Sequence, residues 1–145
     1  IRHAIAPGGG DPVDFDILRC ETQRNLSKEG IVQSKNIGKF FLENNIKIDK
    51  VLSSEWCRCK QTAQYAFKQY ETKSFLNSFF SEKFASNKNK QINDLKKYIN
   101  EWSGDNNLVL VTHYVTIQEV LNITSSSGEL IIADKNFNVL ARQNF

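Results

Sequence analysis

Histidine occurs only twice in this 145-residue sequence, at His3 and His113, and both sit beside groups that suit phosphate chemistry. Arg2 precedes His3, Thr112 precedes His113, and Arg58 follows the polar pair Ser53-Ser54 by a few residues. Guanidinium groups present planar forks of N–H donors that match phosphate oxygens. An arginine in the first turn of a helix adds the free N–H groups and positive dipole end of that helix. Surrounding positive charge disfavours imidazolium, which keeps His3 neutral and nucleophilic near neutral pH. A neutral imidazole attacks phosphorus to give a phosphohistidine, while flanking cations stabilise charge on the equatorial oxygens. An Arg-His pair alone carries almost no information. The joint pattern of both histidines and two arginines, each at an exit from an ordered element, carries the weight.

The elements that position these groups follow from periodicity. Residues 1–5 read as the end of a buried strand, and residues 6–25 as a long loop rich in glycine and proline, a length usually reserved for function. Ser27 is an N-cap for a helix running to about Asn45, with Glu29 in its first turn and Ile37, Phe40 and Phe41 on its buried face. Lys50 to Ser53 reads as a strand, followed by a helix over about Glu55 to Tyr70. Residues 74–86 are ambiguous. Asn87 opens another helix, buried through Ile92, Leu95, Ile99 and Trp102 and stopped at Gly104. Leu108 to Val111 is a continuous apolar run, as for a strand covered on both faces. A helix near 115–122 follows, then two strands, Gly128 to Ala133 and Phe137 to Arg142, around an Asp134-Lys135-Asn136 turn.

This alternation predicts one α/β domain over residues 1–145, a three-layer α/β/α sandwich with a mainly parallel central sheet. In such sheets ligands bind outside the carboxyl ends of the strands. Arg2-His3, Ser53-Ser54 with Arg58, and Thr112-His113 all fall at such ends, so they are expected to converge on one crevice. A strand should precede Ile1. The protein is therefore expected to begin earlier, which leaves localisation open between the cytoplasm and, if an export signal precedes residue 1, the periplasm.

Composition narrows the partners. The net charge is +3, and the nearest approach to a basic block, Lys88, Lys90, Lys96 and Lys97, lies beside Asp94 and Glu101 in a helical pattern, the mark of a solvated face. Nucleic acid is not an expected partner. No segment approaches the roughly 20 apolar residues of a membrane span. Cys20, Cys57 and Cys59 make an odd count, a poor disulfide framework. Cys20 has the reach to bridge to one of the other two and pin the long loop, but buried free thiols are the favoured expectation. No fourth ligand for a zinc site is evident.

The motifs resemble those of the histidine phosphatase superfamily, also called phosphoglycerate-mutase-like. Arg2-His3-Ala4 is similar to its Arg-His-Gly motif, in a variant like that of smaller bacterial members, including phosphohistidine phosphatases. Leu26-Ser27-Lys28-Glu29-Gly30-Ile31-Val32-Gln33 is similar to its Leu-Thr-x-x-Gly-x-x-Gln helix start. The stretch from Ser53 through Arg58, Gln61, Thr62 and Ala63 is similar to its Ser-x-x-x-Arg-x-x-Gln-Thr-Ala element. Thr112-His113 stands where the family has Gly-His. The resemblance covers nearly the whole chain in order. It implies His3 as nucleophile, with Arg2, Arg58 and His113 forming the phosphate pocket and Gln61, Thr62 and Ala63 in structural roles.

Two departures shape the remaining expectations. Thr112 replaces the glycine, which tightens that strand exit or adds a hydroxyl near the phosphate. Many members place a glutamate proton donor where this chain has Ser78. Glu82 is the candidate acid, with Asp11, Asp14 and Asp16 as rivals. Arg24 and Asn25 are candidates to reach the phosphate from the loop. Phosphohistidine phosphatases of the family do without that glutamate, because an imidazole leaving group needs less help.

The expected activity is therefore a metal-independent phosphatase, needing no cofactor, that acts on a small phosphorylated substrate or a phosphoprotein through a phosphohistidine on His3. The alternatives are a non-catalytic module that binds a phosphorylated ligand and a mutase-type phosphotransferase. A metal hydrolase built on both histidines and the loop aspartates fits poorly, since the arginines would repel a cation.

Overall fold

A computed structural model describes residues 1–145. Its elements, in chain order, are α1 (Lys28–Glu43), β1 (Ile48–Ser53), α2 (Cys57–Phe67), β2 (Glu71–Thr72), α3 (Glu82–Ala85), α4 (Lys88–Glu101), β3 (Asn107–Val111), α5 (Tyr114–Leu121), β4 (Leu130–Ala133) and β5 (Val139–Gln143). Short 3-10 turns stand at Cys20–Thr22 and Ser74–Leu76.

The sheet order is β2-β1-β3, all parallel, with Val51 opposite Val109 and Ser53 opposite Val111. Alternation along the strands sorts their side chains onto two faces. Val51, Val109 and Val111 join Ile37 and Phe41 of α1, and Cys59 and Ala63 of α2, in the larger core. Leu52 joins Leu76 and Leu95, with Leu108, Leu110, Tyr98, Ile99 and Val120 packed around them, so α4 and α5 cover the opposite face. The result is a parallel sheet flanked by helices. β4 and β5 pair antiparallel around the expected turn, in a separate ribbon.

Residues 1–3 form only an isolated parallel bridge, Arg2 with Thr112, where the sequence suggested the end of a strand. Backbone bonds nevertheless fix them on both sides. The His3 amide donates to the Thr112 carbonyl (2.9 Å), and the Gly128 amide donates to the His3 carbonyl (3.1 Å). Three further boundaries differ. α2 ends at Phe67, because Lys68 turns to a positive φ of 66°. β2 is a strand of two exposed residues, too short for a periodic signal. The ambiguous stretch 74–86 resolves into the Ser74–Leu76 turn and the single turn of α3.

α1 begins as its sequence suggests. Ser27 caps it by accepting from the Gly30 amide at 3.1 Å. Gly30 is needed for contact: a Cβ there would stand 2.2 Å from the Ile5 carbonyl oxygen. That close approach seats the start of α1 against the chain leaving His3. The Ser27 amide donates to the same carbonyl at 3.0 Å.

Cys20 and Cys57 are joined in a disulfide, and Cys59 is free and buried. This corrects the expectation of three free thiols. The bridge ties the long first loop to the start of α2, which spacing alone could not reveal.

Candidate active site

His3, Arg58 and His113 form one buried group at the carboxyl end of the sheet, with only 5%, 3% and 2% of their surfaces exposed. His3 leaves the bridge beside β3. His113 ends the same strand's exit and directly precedes α5. Arg58 lies in the first turn of α2, after the buried Ser53-Ser54 exit from β1. Thr62, one turn along α2, locks two of these elements together. Its Oγ1 accepts from the Ala4 amide (3.0 Å) and donates to the Arg58 carbonyl (2.8 Å).

Hydrogen bonds fix both imidazole tautomers. His3 Nδ1 lies 2.8 Å from the Ala4 carbonyl oxygen, which only accepts, so Nδ1 carries the hydrogen. His3 Nε2 keeps its lone pair and accepts from Arg58 Nε at 3.2 Å. Arg58 Nη2, which only donates, lies 3.4 Å from His113 Nδ1. The hydrogen of His113 is therefore on Nε2 and donates to Ser54 Oγ at 2.9 Å. Ser54 passes its own hydrogen to Asn77 Oδ1 at 3.1 Å. The two rings stand edge to face, 5.5 Å apart.

Electrostatics keep both rings neutral. Burial first, then the Arg58 charge, pushes His3 down to about 3, with Arg2 and Arg24 adding to the effect. His113 is lowered well below its usual value by burial and then by Arg58. Burial also lowers Arg2 and Arg24 from the ordinary arginine value, and repulsion from Arg58 adds to it in both. Arg2 and Arg24 each bury an Nε atom that has no partner. Three guanidinium groups thus share one region around a neutral imidazole, and such a field selects an anion. Cys59 lies 3.5 Å from His113 Nε2, but burial pushes its thiol up to about 12, which leaves it an inert packing group.

The remaining sequence candidates divide. Arg2 donates to the Ser125 carbonyl at 2.5 Å and lies over the Tyr114 ring. Arg24 is held by the carbonyls of Ala6 (2.8 Å) and Gly8 (2.7 Å). Asn25 faces the loop instead: it donates to Cys20 and Gln23 carbonyls and accepts from Gln61. The Thr112 hydroxyl donates to the Leu76 carbonyl at 2.7 Å, so it tightens the strand exit. Glu82 stands exposed at the start of α3, and its carboxylate makes no ion pair or hydrogen bond. Asp14 is also exposed, and Asp16 spends Oδ1 on the Leu18 amide. Asp11 alone enters the group: Oδ1 accepts from Arg58 Nη1 at 2.7 Å and Oδ2 from Trp56 Nε1 at 3.0 Å.

Sequence reasoning missed Ser54 and Asn77 as the support of His113. It also missed Gln23, whose Oε1 accepts from the Cys57 amide at 2.9 Å and so satisfies the start of α2 from the loop. The pairing of Ser54 with a strand exit was visible, but its partner was not. No group of three or more His, Cys, Asp or Glu side chains is placed to hold a metal ion.

The parallel sheet flanked by helices is a phosphoglycerate-mutase-like fold. Among solved structures, the protein histidine phosphatase SixA complexed with tungstate matches 99% of this chain and 94% of its own, at 15% identity and a TM-score of 0.65. A candidate phosphohistidine phosphatase SixA from Agrobacterium tumefaciens matches with the same coverage, at 19% identity and a TM-score of 0.64. Phosphoglycerate mutase from Plasmodium falciparum matches 82% of this chain and 84% of its own, at 21% identity and a TM-score of 0.51. No protein-family model and no curated protein sequence matches the chain.

Proposed function

We propose that this protein is a metal-independent histidine phosphatase that hydrolyses a phosphomonoester or a phosphohistidine through a covalent intermediate on His3. The observation that carries this reading is the fixed tautomer of His3. Its Nδ1–H is tied to Ala4, so the lone pair on Nε2 faces Arg58, where a phosphoryl group would dock. In the first step His3 Nε2 attacks phosphorus, the N–P bond forms, and the bond to the leaving group breaks. Water then attacks the phosphohistidine, the N–P bond breaks, and inorganic phosphate leaves with the lone pair restored to His3.

The other residues act by charge and position. Arg58, Arg2 and Arg24 stabilise the equatorial oxygens as charge develops there. His113 accepts from Arg58 in the resting state. A bound phosphoryl dianion offsets that positive field and favours its imidazolium, whose Nδ1–H then donates to a phosphoryl oxygen. Ser54 and Asn77 orient that ring.

The similarity to SixA proteins agrees with one further feature. Asp11 is the only carboxylate that touches this group, and it is paired with Arg58. Leaving groups that need little proton help, such as the imidazole of a phosphohistidine or an aryl oxygen, suit such a site best.

The test is to incubate the enzyme with a labelled aryl phosphate, quench in alkali, and look for an acid-labile phosphoprotein. His3→Ala should lose both the label and the turnover, by about 10⁴-fold or more, while keeping tungstate binding. Full turnover in His3→Ala would falsify the covalent route.

A further inference from the structure

Asp11 has a place that the phosphatase reading leaves unexplained. Arg58 and Asp11 form a buried ion pair of 2.7 Å, with side chains only 4% and 9% exposed. Each nitrogen of the Arg58 guanidinium is then engaged once. Nε serves His3, Nη2 serves His113, and Nη1 serves Asp11. The other carboxylate oxygen is held by Trp56, which is itself buried between Phe15, Phe84 and His113. A phosphoryl group attacked by His3 must lie against the same guanidinium. A second anion on that guanidinium is a rival for its N–H groups and for its charge.

The chain before Asp11 has backbone freedom that the strand exits lack. Gly8 and Gly10 both have positive φ, 95° and 69°, a conformation that other residues rarely adopt. On one side the loop is anchored by Arg24, which holds the carbonyls of Ala6 and Gly8. On the other it is anchored by Phe15, stacked on Trp56 with ring centroids 5.0 Å apart. Between these anchors nothing lies within 4 Å of where a Cβ on Gly9 or Gly10 would stand, and Val13 is fully exposed. The segment carrying Asp11 therefore has fixed ends and, at Gly9 and Gly10, open space for the backbone to move.

We infer that Asp11 is an internal counter-anion that competes with phosphate for Arg58, yielding to the substrate and recapturing the guanidinium to release inorganic phosphate. This rests on the phosphate pocket proposed above. Three arginines around one tetrahedral anion would otherwise hold the product long after hydrolysis. An intramolecular carboxylate weakens that grip by the fraction of time it occupies Arg58, since apparent affinity scales with the population of the open state. Asp11 is thus a positioning residue of the product-release step. It transfers no proton and touches no reacting atom.

The experiment is calorimetric titration of tungstate, a phosphate-shaped dianion, into the wild type, Asp11→Asn and Arg58→Ala. If Asp11 excludes the anion for 90 to 99% of the time, Asp11→Asn binds tungstate about 10- to 100-fold more tightly. The inhibition constant for inorganic phosphate falls by the same factor, and Arg58→Ala loses the binding. Equal or weaker tungstate binding in Asp11→Asn, with Arg58-dependent binding intact in the wild type, overturns the counter-anion and leaves the pocket standing. Unchanged tungstate affinity together with a kcat that collapses only for poor leaving groups also overturns it, by making Asp11 the proton donor. Absence of any Arg58-dependent binding removes the pocket reading and this inference with it. Thermal melting verifies that the variants fold. Should Asp11→Asn fail to fold, a crystal structure of the wild type with tungstate decides. The expected result is the Asp11 carboxylate out of hydrogen-bond reach of Arg58. Tungstate bound beside His3 with the ion pair intact overturns the inference.

Discussion

The candidate site has two halves that are held in different ways. The strand-exit half contains His3, Arg58, His113, Ser54 and Thr62. Its groups hang on strand exits and on α2, and Ser53, Ser54 and Thr62 are wholly buried. The loop half contains Asp11, Arg24, Asn25 and Cys20. Its groups are tied by side-chain bonds to nearby carbonyls, by Gln23 and by one disulfide, and it leaves Val13 and Leu18 almost bare to solvent. The contrast teaches a division of labour. Under the proposed mechanism, the groups that hold angles against phosphorus sit at the exits of the sheet, and those that gather and release the anion sit on the loop.

The strongest way to break this contrast is Arg58→Lys. Lysine keeps the charge beside Asp11, but a point charge cannot serve His3, His113 and an anion together. kcat/KM should fall about 10²- to 10³-fold with a near-normal melting temperature. Activity close to wild type would mean that the strand-exit half is not organised by that fork.

The loop half should fail differently. Cys20→Ser, or reduction of the bridge, should cost roughly 2–4 kcal/mol of stability in a denaturant titration. KM should rise more than kcat falls, because Arg24 loses its frame while His3 and His113 keep theirs. A kcat loss with KM untouched would place the loop in the chemistry itself.

Acid sharpens the contrast next. Unfolded histidine titrates near 6.5, whereas His3 in the fold is pushed to about 3 and His113 is also lowered. Between those values the unfolded chain binds more protons, so stability present above about pH 6.5 is lost as pH falls toward 3. The slope should approach about 1.4 kcal/mol per pH unit for each buried imidazole. Denaturant titrations from pH 7 to 4 measure it, and His3→Gln should flatten the slope. A flat profile in the wild type would show that the two rings are not neutral and buried.

The smallest effect is expected at Asn25. Its amide serves loop carbonyls and Gln61, so Asn25→Ala should cost about 1 kcal/mol of stability and change kcat/KM by less than about threefold. A large kcat loss would return Asn25 to the phosphate.

The strand-exit half was the more legible part of the sequence, because local signals reach that far. A capping serine before Gly30, the apolar run ending at Thr112-His113, and Arg58 just beyond Ser53-Ser54 all announce where chain direction changes. The α/β order and the parallel sheet followed from the same periodicity. The loop half was harder to read because its partners lie far off in sequence. Nothing near Asp11 announces Arg58, 47 residues away, and nothing near Gln23 announces the Cys57 amide. Glu82 looked like an acid because it stands close to Ser78 in sequence, yet α3 turns its carboxylate to solvent.

The amino-acid sequence by itself determined the longer helices and strands and which side chains stand at the exits of β1 and β3, since hydrophobic period and capping act within a few residues. Only the tertiary structure decided the tautomers of His3 and His113, the Cys20–Cys57 bridge, and the pairing of Asp11 with Arg58. Each of these depends on donors and acceptors brought together from distant segments, and burial gives those contacts their force by removing the water that would otherwise satisfy them.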